Sequence, residues 1–394
     1  MICPLRVWGV MLLGGITLIA WGCREDAEPP TAPQETPTLA VTSAAPLSFR
    51  NLSAGVYHTC GVTTDDRAYC WGENRLAPAP VSGGLRFLEL SAGQPDDFGE
   101  SITCGVTTDL RAYCWGRDLL PSEVPGGRRF RQLSVGLEYI CGVNPFDVAF
   151  CWGVNNQWGQ LGTGGGYSTT PVRVAGGLRF RRVFAAATHT CGTTTDDRAY
   201  CWGWNNFGQL GIGTTGGNRV VPAAVAGGLS FRQVKPGSGY PTGIQFPEVD
   251  GPAYSCGVTT GDRAYCWGRG GAPLGSSSGG SATPIPVAGG RLFNFVHPGL
   301  WHACALTPFN NAFCWGNNEF GQLGTGSNTS STTPVRVSGG LKFVSVTVAP
   351  TGWHSCGVTA DHRAYCWGRN YSGGLGDGTQ TNRLTPTPVV GPSQ

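Results

Sequence analysis

Fourteen of the sixteen cysteines fall in seven pairs ten positions apart, each pair followed by Trp-Gly: Cys60 with Cys70, Cys104 with Cys114, Cys141 with Cys151, Cys191 with Cys201, Cys256 with Cys266, Cys304 with Cys314 and Cys356 with Cys366. Metal ligation does not fit that spacing, because zinc knuckles bring two cysteines within two to four positions of each other. On two antiparallel strands an even separation leaves an odd-numbered loop. With a three-residue turn at Thr64-Asp65-Asp66, Thr63 faces Arg67, Val62 faces Ala68, Gly61 faces Tyr69 and Cys60 faces Cys70. By alternation the cysteines occupy a non-hydrogen-bonded pair, where Cα atoms lie roughly 4.5 to 5.5 Å apart, within reach of a disulfide. The reading is seven disulfides, against fourteen buried thiols as the alternative. In the chain-entropy model each loop of about eleven residues adds roughly 2 to 3 kcal/mol.

Other residues with chemical potential argue against catalysis. His58, His189, His302 and His354 each stand two before the first cysteine of a pair, a spacing that invites a metal ring. Ile102, Tyr139 and Tyr254 fill the same slot elsewhere, which favours packing. Gly211-Ile-Gly-Thr-Thr-Gly216 matches a dinucleotide glycine pattern but opens no helix after a strand. Asp65-Asp66 and Asp196-Asp197 occupy turns, where aspartate serves the backbone. With no nucleophile elbow and no His-Glu-x-x-His pattern, the expectation is a protein that is no enzyme and needs no cofactor or metal.

The elements that carry these residues are short strands. Of 394 residues 63 are Gly and only 13% are charged, a composition suited to tight turns and half-buried strands. Each repeat has four: A, of the form Phe-x-x-apolar (Phe180-Arg-Arg-Val183); B, ending Cys-Gly-Val; C, Ala-Tyr-Cys-Trp-Gly; and D, Pro-Val-x-Val (Pro334-Val-Arg-Val337). Such units bury their apolar faces by radial stacking, so seven repeats predict an all-β, seven-bladed β-propeller of four-stranded antiparallel blades over 48–391, with a tail at 392–394. The Gly-Gly turn in Val174-Ala-Gly-Gly-Leu-Arg-Phe180 predicts that D and the following A are hairpin neighbours, with C-to-D as the crossover between blades. On that reading the first A (Phe49 to Leu52) and the last D (Pro386 to Val390) pair, and the ring is closed by the N- and C-terminal strands.

The N-terminus adds a compartment. Residues 1–22 read as a signal peptide, with Arg6 before an apolar run from Val7 to Trp21. Gly22-Cys23 ends that run as a lipoprotein signal does, so Cys23 is the expected lipidation site and the only link to a membrane, simple secretion being the alternative. Residues 23–47, rich in Pro and Thr, read as a disordered tether reaching up to roughly 70 Å. A net charge of +3, with the basic residues scattered, leaves no footprint for nucleic acid.

Cys151-Trp-Gly-Val-Asn-Asn-Gln-Trp-Gly-Gln-Leu-Gly-Thr-Gly164 and its equivalents from Trp202 and Trp315 resemble regulator-of-chromosome-condensation repeats. The signature is partial at Ala272-Pro-Leu-Gly275 and Gly373-Gly-Leu-Gly376, and missing after Trp71 and Trp115. The resemblance implies a seven-bladed propeller and a structural role for the recurrent histidine. It includes secreted inhibitors of β-lactamases and nuclear exchange factors for a small GTPase; export disfavours the latter here.

Strand parity puts A-to-B loops and C-to-D segments on one variable face, and the B-to-C and D-to-A turns on a monotonous one. The variable face carries Asp96, Asp97 and Phe98 in blade 2, Tyr240 and Phe246 in a long blade 5 insertion, and Tyr57, Trp301 and Trp353 at matching positions. These are the candidate binding residues for a macromolecular partner, in the first instance a protein; Trp158, Phe207 and Phe320 lie within the signature and are expected to be structural. The function expected is a lipid-anchored binding scaffold of the cell envelope. A protein that binds or acts on extracellular polysaccharide is the alternative.

Overall fold

The computed structural model describes residues 46–95, 101–237, 239, 251, 253–271, 274–275, 279–350 and 352–392. The chain divides into Met1–Thr42 and Ser43–Gln394. The second unit is a seven-bladed β-propeller of 28 strands, β1 to β28 in chain order, four antiparallel strands to a blade. A 3-10 turn spans Ser82–Gly84. The signal segment and Cys23 lie outside the described residues. Leu47, at the end of the expected tether, already packs against the core.

Blade 1 shows the plan: β1 (Phe49–Ala54), β2 (His58–Thr63), β3 (Ala68–Gly72) and β4 (Arg75–Pro80) pair in chain order from the axis outward. The expected register holds, with Cys60 opposite Cys70, Gly61 opposite Tyr69 and Val62 opposite Ala68. All seven disulfides form, joining Cys60 to Cys70, Cys104 to Cys114, Cys141 to Cys151, Cys191 to Cys201, Cys256 to Cys266, Cys304 to Cys314 and Cys356 to Cys366. Their Cα atoms are 4.0 to 4.1 Å apart, closer than the 4.5 to 5.5 Å expected of a non-hydrogen-bonded pair, because the bond draws the two strands together. Five inner strands carry a bulge after their leading Phe, as between Phe49 and Asn51. The extra residue reverses side-chain parity. Phe49 and Leu52 therefore both turn toward the neighbouring blade, leaving Asn51 and Ser53 to the axial cavity.

The expected pairing of D with the following A does not occur. Each D strand pairs with C of its own repeat, so the Gly-Gly segment is the crossover between blades and C-to-D is an intra-blade connection. Gly176 and Gly177 do adopt the left-handed conformations of a tight turn, at φ 89 and 67. The returning chain, however, runs beneath the B-to-C turn, where the Phe180 N–H bonds the Asp147 carbonyl at 2.8 Å. The equivalent bond recurs at every blade junction, including Phe49 N–H to the His362 carbonyl at 2.8 Å.

The ring is accordingly not closed by a shared sheet. Strand β28 (Arg383–Pro388) pairs with β27 (Ala364–Gly368), and blade 7 meets blade 1 face to face. Phe49 and Trp71 of blade 1 pack there against Val358, Leu375, Val389 and the disulfide of Cys356 with Cys366. The outer edges stay open, and proline guards them: Pro78, Pro171, Pro222, Pro284, Pro334 and Pro386 each interrupt an outermost strand. A proline lacks the N–H that edge-to-edge pairing needs.

Candidate binding face

The recurrent histidines are blade-to-blade clamps. His58 Nε2 meets Thr103 Oγ1 at 2.7 Å, His189 meets Ser255 Oγ at 2.9 Å, His302 meets Ser355 Oγ at 2.8 Å, and His354 meets Thr59 Oγ1 at 2.9 Å across the closing seam. Three of those hydroxyls donate onward to carbonyls: Ser255 to Gln209 at 2.8 Å, Ser355 to Gln322 at 3.1 Å and Thr59 to Gly374 at 2.9 Å. A hydroxyl whose hydrogen is so committed can only accept from the imidazole, which assigns the neutral Nε2–H tautomer. Burial holds His189, His302 and His354 down at about 3, far below the usual histidine range. Where the slot holds Ile102, the facing residue in the next blade is Ile140, and the two share an apolar cluster.

The Gly-Gln-Leu-Gly signature serves the same seams. Its asparagine shapes the loop, Asn318 Oδ1 accepting the Leu323 N–H at 2.9 Å and Asn370 Oδ1 accepting that of Leu375 at 2.9 Å. The loop then presents a carbonyl to the tryptophan of the next blade: Gln160 to Trp202, Gln322 to Trp367 and Gly374 to Trp71, each at 2.9 Å. After Trp71 the signature is replaced by a two-residue turn, Glu73 (φ 50) and Asn74 (φ 72), which delivers no such carbonyl. The Trp115 Nε1 of blade 2 is buried without a partner, as is that of Trp267, which follows an intact signature.

On the loop face, residues from two loop sets join in an aromatic and arginine arc. Trp301 and Trp353 stack at 5.8 Å between centroids with planes 13° apart. Phe320 meets Trp353 edge-on at 5.4 Å, the Arg369 guanidinium covers Phe320 at 5.0 Å and Tyr371 at 4.1 Å, and Tyr371 meets Tyr57 at 5.7 Å. A second cluster joins Trp158, Trp204 and Phe207 at 6.0 and 5.2 Å, with Arg269 over Phe207 at 4.8 Å. These rings are half-buried or, for Tyr371, exposed, except that of Trp204, which is buried.

Of the sequence-derived candidates, Tyr57, Trp301 and Trp353 come together in the arc, while Asp96, Asp97, Phe98, Tyr240 and Phe246 lie outside the described residues. Of the residues expected to be structural, Phe320 stands in the arc with the candidates, while Trp158 and Phe207 belong to the second cluster. Arg369, Tyr371 and Trp204 lie in C-to-D segments, away from the A-to-B position that Tyr57, Trp301 and Trp353 share, so that position gives no signal for them. The opposite face is less uniform than expected: Phe146 and Phe309 protrude from B-to-C turns, 74% and 79% exposed. Their signal was a Pro-Phe pair where three other repeats carry Thr-Asp and the remaining two Thr260-Gly261 and Ala360-Asp361. Among the described residues no group of three His, Cys, Asp or Glu gathers to hold a metal, and no helix is long and apolar enough to cross a membrane.

Solved structures of similar fold agree with this architecture. Human WBSCR16 matches with a TM-score of 0.66 at 18% identity, over 80% of this chain and 84% of its own. Prp20p from Saccharomyces cerevisiae, described with its binding to Gsp1p and histones, matches with a TM-score of 0.63 at 18% identity, over 79% of this chain and 83% of its own. The ectodomain of the Physcomitrella patens receptor kinase CR4 matches with a TM-score of 0.53 at 18% identity, over 82% of this chain and 74% of its own. These likenesses establish the fold. Two models of the Regulator of chromosome condensation (RCC1) repeat match the sequence, one at residues 148–192, 196–240, 310–358 and 361–394, the other at 49–76, 181–209 and 347–373. With the signature loops acting as seam clamps and these matches together spanning more than half of the chain, the protein belongs to the regulator of chromosome condensation repeat family.

Proposed function

We propose that this propeller is an exported, lipid-anchored binding scaffold that engages a protein through its loop face. The observation that carries the reading is the arc from Trp301 through Trp353, Phe320, Arg369 and Tyr371 to Tyr57, which spans blades 6, 7 and 1. Aromatic and arginine side chains are the residues in which protein interfaces concentrate their binding energy, and here stacking fixes the rings in advance, so little conformational freedom is lost on docking. Seven disulfides fit an oxidising compartment, in keeping with export. A structure of similar fold, yeast RCC1 (Prp20), is known bound to Kap60, so a protein of this fold takes a protein partner.

The test is affinity capture from envelope extracts, comparing the full chain with a Trp301→Ala/Trp353→Ala variant. A protein recovered by the wild type and lost, or weakened about tenfold or more, in the variant supports the reading. Equal recovery removes its basis. Retention on envelope polysaccharide instead, with the same loss in the variant, transfers the site to a glycan.

A further inference from the structure

We propose that the axial cavity is a binding site for a small oxyanion, a carboxylate or phosphate, held by Lys235 and Arg182. The site is independent of the loop-face reading. The cavity, about 330 Å³, is lined by the inner strands of all seven blades. The fifth residue of each, counted from its leading Phe, is Ser53, Ser91, Ser134, Phe184, Lys235, His297 or Thr347. Five accept a backbone N–H from the next blade: Ser53 from Ala92 at 2.9 Å, Ser91 from Val135 at 3.0 Å, Ser134 from Ala185 at 2.9 Å, His297 Nδ1 from Val348 at 3.1 Å, and Thr347 from Ala54 at 3.3 Å.

Phe184 and Lys235 cannot accept. At those two junctions the next blade presents Pro236 and Pro298, which have no N–H to satisfy. Lysine therefore enters the ring without orphaning a backbone donor. Its ammonium lies 4.5 Å from the Phe184 ring centroid and 5.1 Å from that of Phe295. No carboxylate of the described residues lies within 4 Å of it.

The hydrogen-bond ledger makes this cavity rich in donors. Ser53, Ser91, Ser134 and Thr347, at the axis, each use their oxygen as an acceptor for a backbone N–H, which leaves the hydroxyl hydrogen to give. Glu89 is the one carboxylate among the described residues that lines the cavity; Glu89 Oε1 accepts the Leu133 N–H at 3.0 Å, and burial raises its pKa while Arg182, that hydrogen bond and Lys235 pull it back down. Burial, and then Arg182, press Lys235 down to about 7 against the opposing pull of Glu89. His297 is held well below its usual range by burial and then by Lys235, and stays neutral. A bound oxyanion relieves the repulsion between lysine and arginine and restores the lysine proton.

The test is calorimetric titration of the full chain with inorganic phosphate and, separately, citrate, with glycerol as the uncharged control. Binding of either anion but not glycerol is expected, weakened about tenfold or more in Lys235→Met and in Arg182→Met and retained in Lys235→Arg. Phosphate alone or citrate alone identifies which oxyanion the site prefers. Wild-type affinity is expected to fall from about pH 6 to about pH 8 as Lys235 loses its proton, while the Lys235→Arg variant stays flat. Lys235→Met removes a buried charge and keeps its melting temperature, so lost binding is not lost folding. No binding of either anion at about 10 mM, or equal binding by Lys235→Met, overturns the proposal.

Discussion

The seam between blades 7 and 1 offers the sharpest test of how the ring is held, through Thr59→Val. Valine keeps the shape of threonine but removes the hydroxyl that accepts from His354 Nε2 at 2.9 Å and donates to the Gly374 carbonyl at 2.9 Å. That carbonyl keeps the Trp71 Nε1 donor at 2.9 Å, so the main penalty is a buried imidazole N–H without a partner. An orphaned buried donor costs about 1 to 3 kcal/mol and the lost hydrogen bond about 1 more, which places the variant about 2 to 4 kcal/mol below wild type. His354→Ile alone leaves Thr59 bonded to Gly374 and is expected to cost less. Adding Thr59→Val to it recreates the apolar pairing that Ile102 and Ile140 make between blades 2 and 3, so the two changes should be non-additive by about 1 to 2 kcal/mol. Urea unfolding without reductant measures all four corners of the cycle. A Thr59→Val penalty below about 0.5 kcal/mol, or strict additivity, would refute the hydrogen-bond chain as the seam's clamp.

Acid should loosen the whole ring. His189, His302 and His354 titrate at about 3 in the folded protein, whereas an unfolded chain takes up those protons near pH 6.5. Because the folded values are lowered, the stabilisation is complete above about pH 7 and drains as pH falls toward 3, at about 1.4 kcal/mol per pH unit for each histidine. Urea melts at about pH 7.5 and about pH 5 should differ by roughly 4 to 6 kcal/mol, and equal midpoints would mean the imidazoles are solvated. For the disulfides, unfolded but unreduced protein should take up no thiol label at the seven pairs, and the double change of Cys356→Ala with Cys366→Ala should cost about 2 to 3 kcal/mol by the same melts. Label incorporated across the pairs would show free thiols.

The sequence by itself determined the repeat, the number of blades and the partner of every paired cysteine, because these follow from local spacing: a turn of fixed length sets register, and register sets which side chains meet. It also exposed Tyr57, Trp301 and Trp353, which recur at one position of the repeat. What it could not settle was which edge each outer strand takes. A Gly-Gly turn after Val174 has the same backbone needs whether it closes a hairpin or reverses the chain into the next blade, and only the packing of Phe180 beneath the Asp147 turn distinguishes the two. The closing seam depended on that choice, which is why Phe49 meets blade 7 through its face and not through a shared ladder. Contacts between blades join residues some 40 to 300 positions apart, such as His354 with Thr59 or Ser53 with Ala92. Their matching of hydroxyl to imidazole, isoleucine to isoleucine, and lysine to proline is written in the chain, yet it acquires meaning only once tertiary structure makes those residues neighbours.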